Sequence, residues 1–82
     1  MVRLPRDLSG RDLARALRRY GYEVTRETGS HMRLTTQQGG EHHVTIPDHA
    51  TLRLGTLSSI LADVSGHLKI ERSALAAELF DR

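Results

Sequence analysis

Five histidines are the side chains of this sequence best suited to proton transfer, because an imidazole titrates near neutral pH. They are His31, His42, His43, His49 and His67. A zinc site needs three or four converging ligands, but the adjacent His42 and His43 on a strand would point to opposite faces, and no two histidines are four residues apart on a helix. The chain has no cysteine, so thiolate ligands and thiol nucleophiles are excluded. We expect no metal, no cofactor, and acid–base chemistry by one histidine.

His31 has the neighbours that a minimal ribonuclease needs. RNA carries its own nucleophile, the 2′-hydroxyl, so one base that removes its proton, with cations at the phosphate, is sufficient for cleavage. Gly29-Ser30-His31 places a tight turn and a hydroxyl directly before the imidazole, and Arg33 follows on the same strand face. On the residues alone, however, a solvent-exposed strand histidine without a function is the simpler interpretation.

Arginine accounts for eleven of the twelve Lys and Arg residues, although the formal net charge is only +2. Its planar guanidinium grips phosphate oxygens in pairs, which suits a nucleic-acid backbone. The codon usage of a GC-rich genome explains the same bias equally well, so composition permits nucleic-acid binding without establishing it. Arg11, Arg15 and Arg18 recur at i, i+4 and i+7, and this row is either a solvated helix face or a series of phosphate contacts.

The length and composition also limit the class of protein. The 82 residues are few enough for a single domain, residues 1–82. No apolar run approaches the ~20 residues of a membrane span, and the first ten residues lack the apolar segment of a signal peptide. The absence of cysteine fits a reducing compartment. We therefore expect a cytoplasmic protein that makes no membrane contact.

A helix is predicted over residues 10–20. Ser9 is a suitable N-cap, and Asp12, three residues later, is a weaker relative of the capping-box glutamate. An apolar stripe follows at helical spacing, formed by Leu13, Ala16, Leu17 and Tyr20. Gly21 stands where many helices end in a left-handed residue, and Tyr22 is then placed to pack back on the helix.

Three short strands are predicted over residues 22–27, 31–36 and 41–46, with turns at residues 28–30 and 37–40. Alternation places Tyr22, Val24, Met32, Leu34, His42, Val44 and Ile46 inward and His31, Arg33, Thr35, His43 and Thr45 outward. Because opposed residues share a face, the second hairpin needs an odd loop, and we expect three residues ending in glycine. Pro47 then ends the third strand, and His31 and His49 lie at the same end of the sheet.

Two further helices are predicted after the strands. The first begins between residues 51 and 56, stops near Gly66 and carries an apolar stripe of Leu57, Ile60, Leu61 and Val64. The second spans residues 71–81, with a weaker face of Ala74, Leu75, Leu79 and Phe80. This order predicts an α+β fold like the double-stranded-RNA-binding domain: αβββα, with helices on one face of a three-stranded antiparallel sheet, plus a short C-terminal helix.

Two stretches of the chain, with the spacing between them, carry a resemblance to a known family. The first is Gly29-Ser30-His31, at the start of the second strand. The second runs from Ile46 to Leu61 and contains Pro47-x-His49 after the strand, then Gly55-Thr56-Leu57 and Ile60-Leu61 on the next helix. Together with a first helix that ends in glycine before an aromatic strand start, these motifs resemble the HicA family, also called YcfA-like proteins.

The resemblance implies an mRNA interferase, the toxin of a type II toxin–antitoxin system, which a HicB-type antitoxin neutralises by masking the active site. It implies that His31 is the catalytic general base or acid and suggests that His49 supports it, while a loop histidine that holds the Pro47 turn explains His49 equally well. Ser30 and Arg33 would help to hold phosphate, and the row of Arg11, Arg15 and Arg18 would follow the RNA backbone. Met32 stands where many relatives carry another polar or aromatic residue. The C-terminal helix is longer and richer in alanine than we expect for this family, which suggests that the helix carries a partner-binding surface.

Two other functions remain open at this stage. One is a non-catalytic RNA-binding module that uses the same αβββα surface to recognise RNA shape. The other is a protein-interaction domain without RNA affinity. His31 discriminates between them, since only the enzyme depends on its imidazole for cleavage, and the salt dependence of RNA binding separates the last two.

Overall fold

The computed structural model describes residues 4–80, in which one helix precedes three strands and two helices follow them. The elements are α1 (Gly10–Leu17), continued by a 3₁₀ turn (Arg18–Tyr20), β1 (Glu23–Thr28), β2 (His31–Thr36), β3 (His42–Pro47), α2 (Leu54–Leu68) and α3 (Arg72–Phe80). The strands form one antiparallel sheet in the order β1-β2-β3. This confirms the predicted αβββα fold with its added C-terminal helix. None of the helices within residues 4–80 is both long enough and apolar enough to cross a membrane.

The first helix begins and ends as its sequence predicts. The Ser9 hydroxyl accepts a hydrogen bond from the Asp12 N–H at 3.0 Å, and the Asp12 carboxylate accepts one from the Ser9 N–H at 3.4 Å, so the capping box is complete. At the other end Gly21 takes a left-handed φ of 82°. The Tyr22 N–H then donates to the Leu17 carbonyl oxygen at 3.3 Å, the backbone bond expected after a glycine stop.

The core lies between the sheet and the helices. Its largest fully buried side chains are Leu13, Leu17, Tyr22, Met32, Leu34, Ile46, Leu57, Leu61, Val64 and Leu75. Two inward assignments were wrong. Ala14, not Ala16, is the alanine of α1 buried in the core. Val24 is 44% exposed although it pairs with the core residue Leu34, because β1 is an edge strand whose six residues are all exposed.

An irregularity in β1 changes which of its side chains face outward. Val24 pairs with Leu34, but the next pair is Arg26 with Arg33, so Thr25 is an extra residue in the strand. Such a bulge reverses the alternation of every residue that follows it. Arg26 therefore joins Arg33 on the outer face, whereas uninterrupted alternation from Tyr22 would have turned it inward.

The two hairpins determine which ends of the strands meet. Between β1 and β2 the turn is Gly29-Ser30, closed by the pair Thr28 and His31, and Gly29 has a φ of 51°, as a two-residue hairpin with glycine first requires. Between β2 and β3 the loop is residues 37–41, since Thr36 pairs with His42. The predicted three-residue loop was wrong, but five is also odd, so the predicted faces of β3 are confirmed.

The two C-terminal helices differ from prediction at their ends and faces. The second helix does not stop at Gly66; it continues to Leu68 and ends at Lys69, which has a left-handed φ of 59°. Gly66 is exposed and meets nothing that requires glycine, so core packing of the helix overrides its low propensity. In α3, Ala76 is buried beside Leu75, whereas Ala74 is exposed. Asp81, the predicted last residue of that helix, lies outside the described residues.

Two of the five histidines hold the sheet to α2. The His42 ring bonds to the Tyr22 hydroxyl through Nδ1 at 2.7 Å and to the Asp63 carboxylate through Nε2 at 3.2 Å. The His67 ring stacks on it with centroids 4.3 Å apart, and His67 Nε2 lies 2.9 Å from the Gln38 carbonyl oxygen. These contacts give His42 and His67 a structural role that explains their presence without a role in catalysis.

Tyr22 gives this network a measurable pH dependence. Burial, with the charge of Asp63, raises the pKa of Tyr22 to about 12 from an ordinary 10.0. Below pH 10 the phenol is neutral in both states, but between pH 10 and 12 it ionises only in the unfolded chain. The free energy of unfolding therefore falls by roughly 2–3 kcal/mol across that interval. Urea unfolding at pH 8 to 11.5 will show this fall.

A Tyr22→Phe variant isolates the phenol. We expect it to lose about 1 kcal/mol at pH 8, where the hydrogen bond to His42 is missing, and to lose most of the alkaline fall. Tyr20→Phe is the matched control, because the Tyr20 phenol is less buried and its pKa is raised by burial and by Glu78 to a smaller extent. An unchanged alkaline fall in Tyr22→Phe would contradict the assignment.

Candidate active site

His31 stands at the beginning of β2, directly after the two-residue turn, with its side chain on the outer face of the sheet. It is exposed, and it pairs with Thr28 on one side and Pro47 on the other. The Ser30 hydroxyl lies 3.3 Å from its Nδ1. Its Nε2 has no hydrogen-bond partner within residues 4–80. One ring nitrogen is therefore oriented by a neighbour, and the other is open to a ligand.

Two arginines lie beside His31 on the same face. Arg26 and Arg33 are directly opposed across β1 and β2. They line, with Thr28, His31 and Thr45, an open concavity of 240 Å³. In the part of the chain that the structure describes, no carboxylate forms an ion pair with either guanidinium. Directly opposed like charges destabilise a sheet, so this pair costs stability that a bound anion would restore.

Sequence reasoning found Arg33 but missed Arg26. Regular alternation would have placed Arg26 on the inner face with Val24, and only the extra residue Thr25 brings it outward. A bulge leaves no reliable mark on alternation when every residue of the strand is exposed, as all six are here. The position of Arg26 therefore had no sequence signal that we could use.

The loop after β3 is fastened to the turn that precedes His31. The Asp48 N–H donates to the Ser30 carbonyl oxygen at 2.6 Å, and the Gly10 N–H donates to the His49 carbonyl oxygen at 3.0 Å. His31 also pairs with Pro47. The prediction that His31 and His49 lie at the same end of the sheet is thus confirmed. The His49 side chain is exposed, so its backbone holds the loop and its imidazole is available to a ligand.

The arginine row of α1 lies on the other side of the sheet from His31. Its members line a groove of 330 Å³ between α1 and the edge strand, together with Ala14, Glu23, Val24 and Met32. Arg11 bridges Asp48 at 3.0 Å and Glu27 at 3.1 Å, and the hydrogen bond and charge of Asp48 raise the pKa of Arg11. Arg15 pairs with Asp12 at 2.7 Å. Arg18 is exposed.

The structure therefore divides the predicted site residues into two groups. Ser30, His31 and Arg33 form one surface, with His49 at the end of the sheet next to it. The row of Arg11, Arg15 and Arg18 belongs to the helical side, where two of its three members already hold carboxylates. Within residues 4–80 there is no group of three His, Cys, Asp or Glu side chains with the geometry of a metal site.

A comparison with family models identifies the family of this chain. The model described as the HicA toxin of bacterial toxin–antitoxin systems matches residues 10–65. The chain belongs to the HicA toxin family. The match covers α1, the whole sheet and most of α2, and it includes the turn of His31 and the loop of His49. No curated protein and no solved structure matched the chain.

Proposed function

We propose that this member of the HicA toxin family is an endoribonuclease that cleaves mRNA, with His31 as its catalytic acid or base. The observation that carries the proposal is the pairing of an imidazole whose Nε2 is open with two guanidiniums that hold no carboxylate. Membership of a toxin family supports it further, since destruction of mRNA is a chemistry that makes a small protein toxic. The alternative is an RNA-binding module of the same fold that does not cut.

The reaction needs only groups on the outer face and the substrate itself. His31 Nε2 accepts the proton of the 2′-hydroxyl, and the 2′ oxygen attacks the adjacent phosphorus. The bond from phosphorus to the 5′ oxygen breaks, that oxygen takes a proton from water, His31 returns its proton to the resulting hydroxide, and a 2′,3′-cyclic phosphate remains. Arg26 and Arg33 bind the non-bridging oxygens, whose charge increases in the transition state. Ser30 positions the imidazole through Nδ1.

Single-stranded RNA fits this site better than a duplex. The attacking 2′ oxygen, the phosphorus and the leaving 5′ oxygen must come into line, and a regular A-form helix resists that arrangement. The site is an open concavity on a sheet rather than a cleft, so an unpaired strand can lie on it without being threaded. His49 supports the strand where it leaves the sheet. Arg18, the member of its row that no carboxylate holds within residues 4–80, lies on the helical side and away from this path.

A HicB-type antitoxin is the proposed partner. No segment within residues 4–80 covers His31 and the arginine pair, so a partner surface that covers them would block access of the RNA. One equivalent of such an antitoxin should abolish cleavage, whereas bovine serum albumin should not. Undiminished cleavage in a stable complex would show that the antitoxin binds elsewhere.

Cleavage in the absence of divalent metal tests the proposal. The purified chain is incubated in EDTA with a fluorescent single-stranded RNA of about 30 nucleotides and with DNA of the same sequence. We expect cleavage of the RNA and not of the DNA, which lacks the 2′-hydroxyl. Tight binding of several RNAs without cleavage would favour the RNA-binding module. The absence of both RNA binding and RNA cleavage would favour a protein-interaction domain.

The arginine pair predicts the salt dependence of binding. Because Arg26 and Arg33 bind the scissile phosphate together, the Arg26→Ala/Arg33→Ala variant will lower the slope of log K against log salt by about 0.7, the value for one phosphate of a single strand. Stability should stay equal or rise, because an opposed like-charge pair is removed. Arg19→Ala, on the helical side beside Glu78, is the control and should leave the slope unchanged. An unchanged slope in the double variant would contradict the assignment.

A further inference from the structure

A chain of hydrogen bonds crosses the outer face at the end opposite to His31. Thr25 Oγ1 lies 2.8 Å from Thr35 Oγ1, and Thr35 Oγ1 lies 2.7 Å from His43 Nδ1. The other ring nitrogen, His43 Nε2, lies 2.8 Å from the Glu41 carboxylate. Both in-plane hydrogen-bonding atoms of the imidazole are therefore occupied, and the side chain remains 36% exposed.

This arrangement limits what His43 can offer a ligand. With its two nitrogens bonded to Thr35 and Glu41, the ring has no free N–H for a phosphate, and the Glu41 carboxylate repels an anion. The ring face remains, held in one orientation by partners on two sides. Bases stack on such faces regardless of sequence. Apart from His31, no other aromatic ring points outward from the three strands.

We propose that His43 is a stacking platform for one base of a single-stranded RNA that lies along β2, a site distinct from the cleavage site. The proposal rests on the proposed function for the position of the strand, since His31 marks where the RNA is cut. His43 on β3 pairs with Thr35, four residues from His31 along β2, so the Cα positions of the two histidines are about 14 Å apart, ~13 Å along the strand and ~5 Å across to β3. That distance is several times the rise of a stacked base step, about 3.4 Å.

On an extended strand, the stacked base therefore belongs to a nucleotide beyond the immediate neighbour of the cut one. Between the two histidines lie Arg33 on β2 and Thr45 on β3, and Arg26 extends the same outward surface beside Arg33 on β1. The cations are thus placed for the backbone that links the two nucleotides. His43 fixes how the strand lies on the sheet, and it takes no part in proton transfer.

An abasic scan combined with two His43 variants tests this site. The substrate is a 12-nucleotide DNA with one ribonucleotide, so that only one bond can be cut, and an abasic residue replaces each flanking nucleotide in turn. We expect His43→Ala to raise KM about tenfold at unchanged kcat. We expect His43→Phe, which keeps a ring but no nitrogen, to restore most of the loss. One abasic position should raise the KM of the native chain similarly and have no further effect in His43→Ala.

The remaining outcomes distinguish failure of the stacking site from failure of the cleavage proposal. An unchanged KM in His43→Ala, or a rise that His43→Phe does not restore and no abasic position reproduces, would overturn the stacking site while leaving the cleavage proposal intact. If the native chain cuts no substrate, the cleavage proposal fails. The stacking site is then decided by fluorescence anisotropy with the same oligonucleotides and variants, where the same tenfold weakening and the same abasic position are expected.

Discussion

A His31→Ala variant will bind single-stranded RNA as the native chain does and will cut it at least ~100-fold more slowly, because general acid–base catalysis is worth about that much or more. The side chain is exposed, and the Ser30 hydroxyl is its one hydrogen-bond partner within residues 4–80. The substitution should therefore change the free energy of unfolding by less than about 0.5 kcal/mol. Cleavage is measured under single-turnover conditions in EDTA, and binding by anisotropy.

His49→Ala is the matched control for that result. It removes a second exposed imidazole from the same end of the sheet and leaves the backbone bond from Gly10 to its carbonyl oxygen intact. We expect at most a tenfold loss of rate, consistent with a supporting role. Equal cleavage by His31→Ala and the native chain would assign the activity to another residue or to a contaminant, and a larger loss in His49→Ala would reassign the catalytic role.

The largest expected effect on stability is that of Gly10→Ala. A Cβ built on Gly10 would lie 2.0 Å from the Pro47 carbonyl oxygen and 3.3 Å from Ile46 Cγ2, so the start of α1 and the end of β3 must separate. We expect a loss of about 3 kcal/mol or more, and a fall in Tm of at least about 12 °C for a chain of this size. Helix propensity alone predicts the opposite sign, since alanine favours helix.

Gly66→Ala separates the steric effect from propensity. Gly66 lies inside α2, and a Cβ there would meet no atom within 4 Å. We expect this variant to be more stable by about 0.5–1 kcal/mol. Calorimetry of the two variants and the native chain checks both predictions. A Gly10→Ala protein that melts as high as the native one would mean that α1 does not approach β3 so closely.

Gly10 also connects the fold to the candidate site. Its N–H bonds to the His49 carbonyl oxygen, and Asp48, the residue before His49, is bonded to the turn before His31. A change at Gly10 therefore loosens the segment that supports the end of the sheet where His31 lies. Any Gly10→Ala protein that remains folded should also cut RNA more slowly.

Features that depend on near neighbours in the chain were predictable from the sequence. The capping box of Ser9 and the left-handed stop at Gly21 follow from local hydrogen bonding. The outward position of His31 follows from alternation within β2. The register of β2 with β3, which brings His31 to the same end of the sheet as His49, follows from the requirement that opposed residues share a face. These predictions needed no knowledge of which elements pack against each other.

Features that depend on distant contacts were not predictable. The bulge at Thr25 reversed the face of Arg26, and the sequence of an exposed edge strand holds no mark of it. The ion pairs of Arg11 with Glu27 and Asp48 join three separate elements. The continuation of α2 through Gly66 depends on the core that the helix covers. The chemistry of His31 itself was not decided by its neighbours; the family resemblance gave it weight.

The end groups of the RNA products test the central claim most directly. A single-stranded RNA is cut by the native chain in EDTA, and the fragments are weighed by mass spectrometry. Attack by the 2′ oxygen with proton transfer by His31 predicts a 2′,3′-cyclic phosphate on one fragment and a 5′-hydroxyl on the other. Fragments that end in a 3′-hydroxyl and a 5′-phosphate would show that water is the nucleophile and would contradict the role assigned to His31.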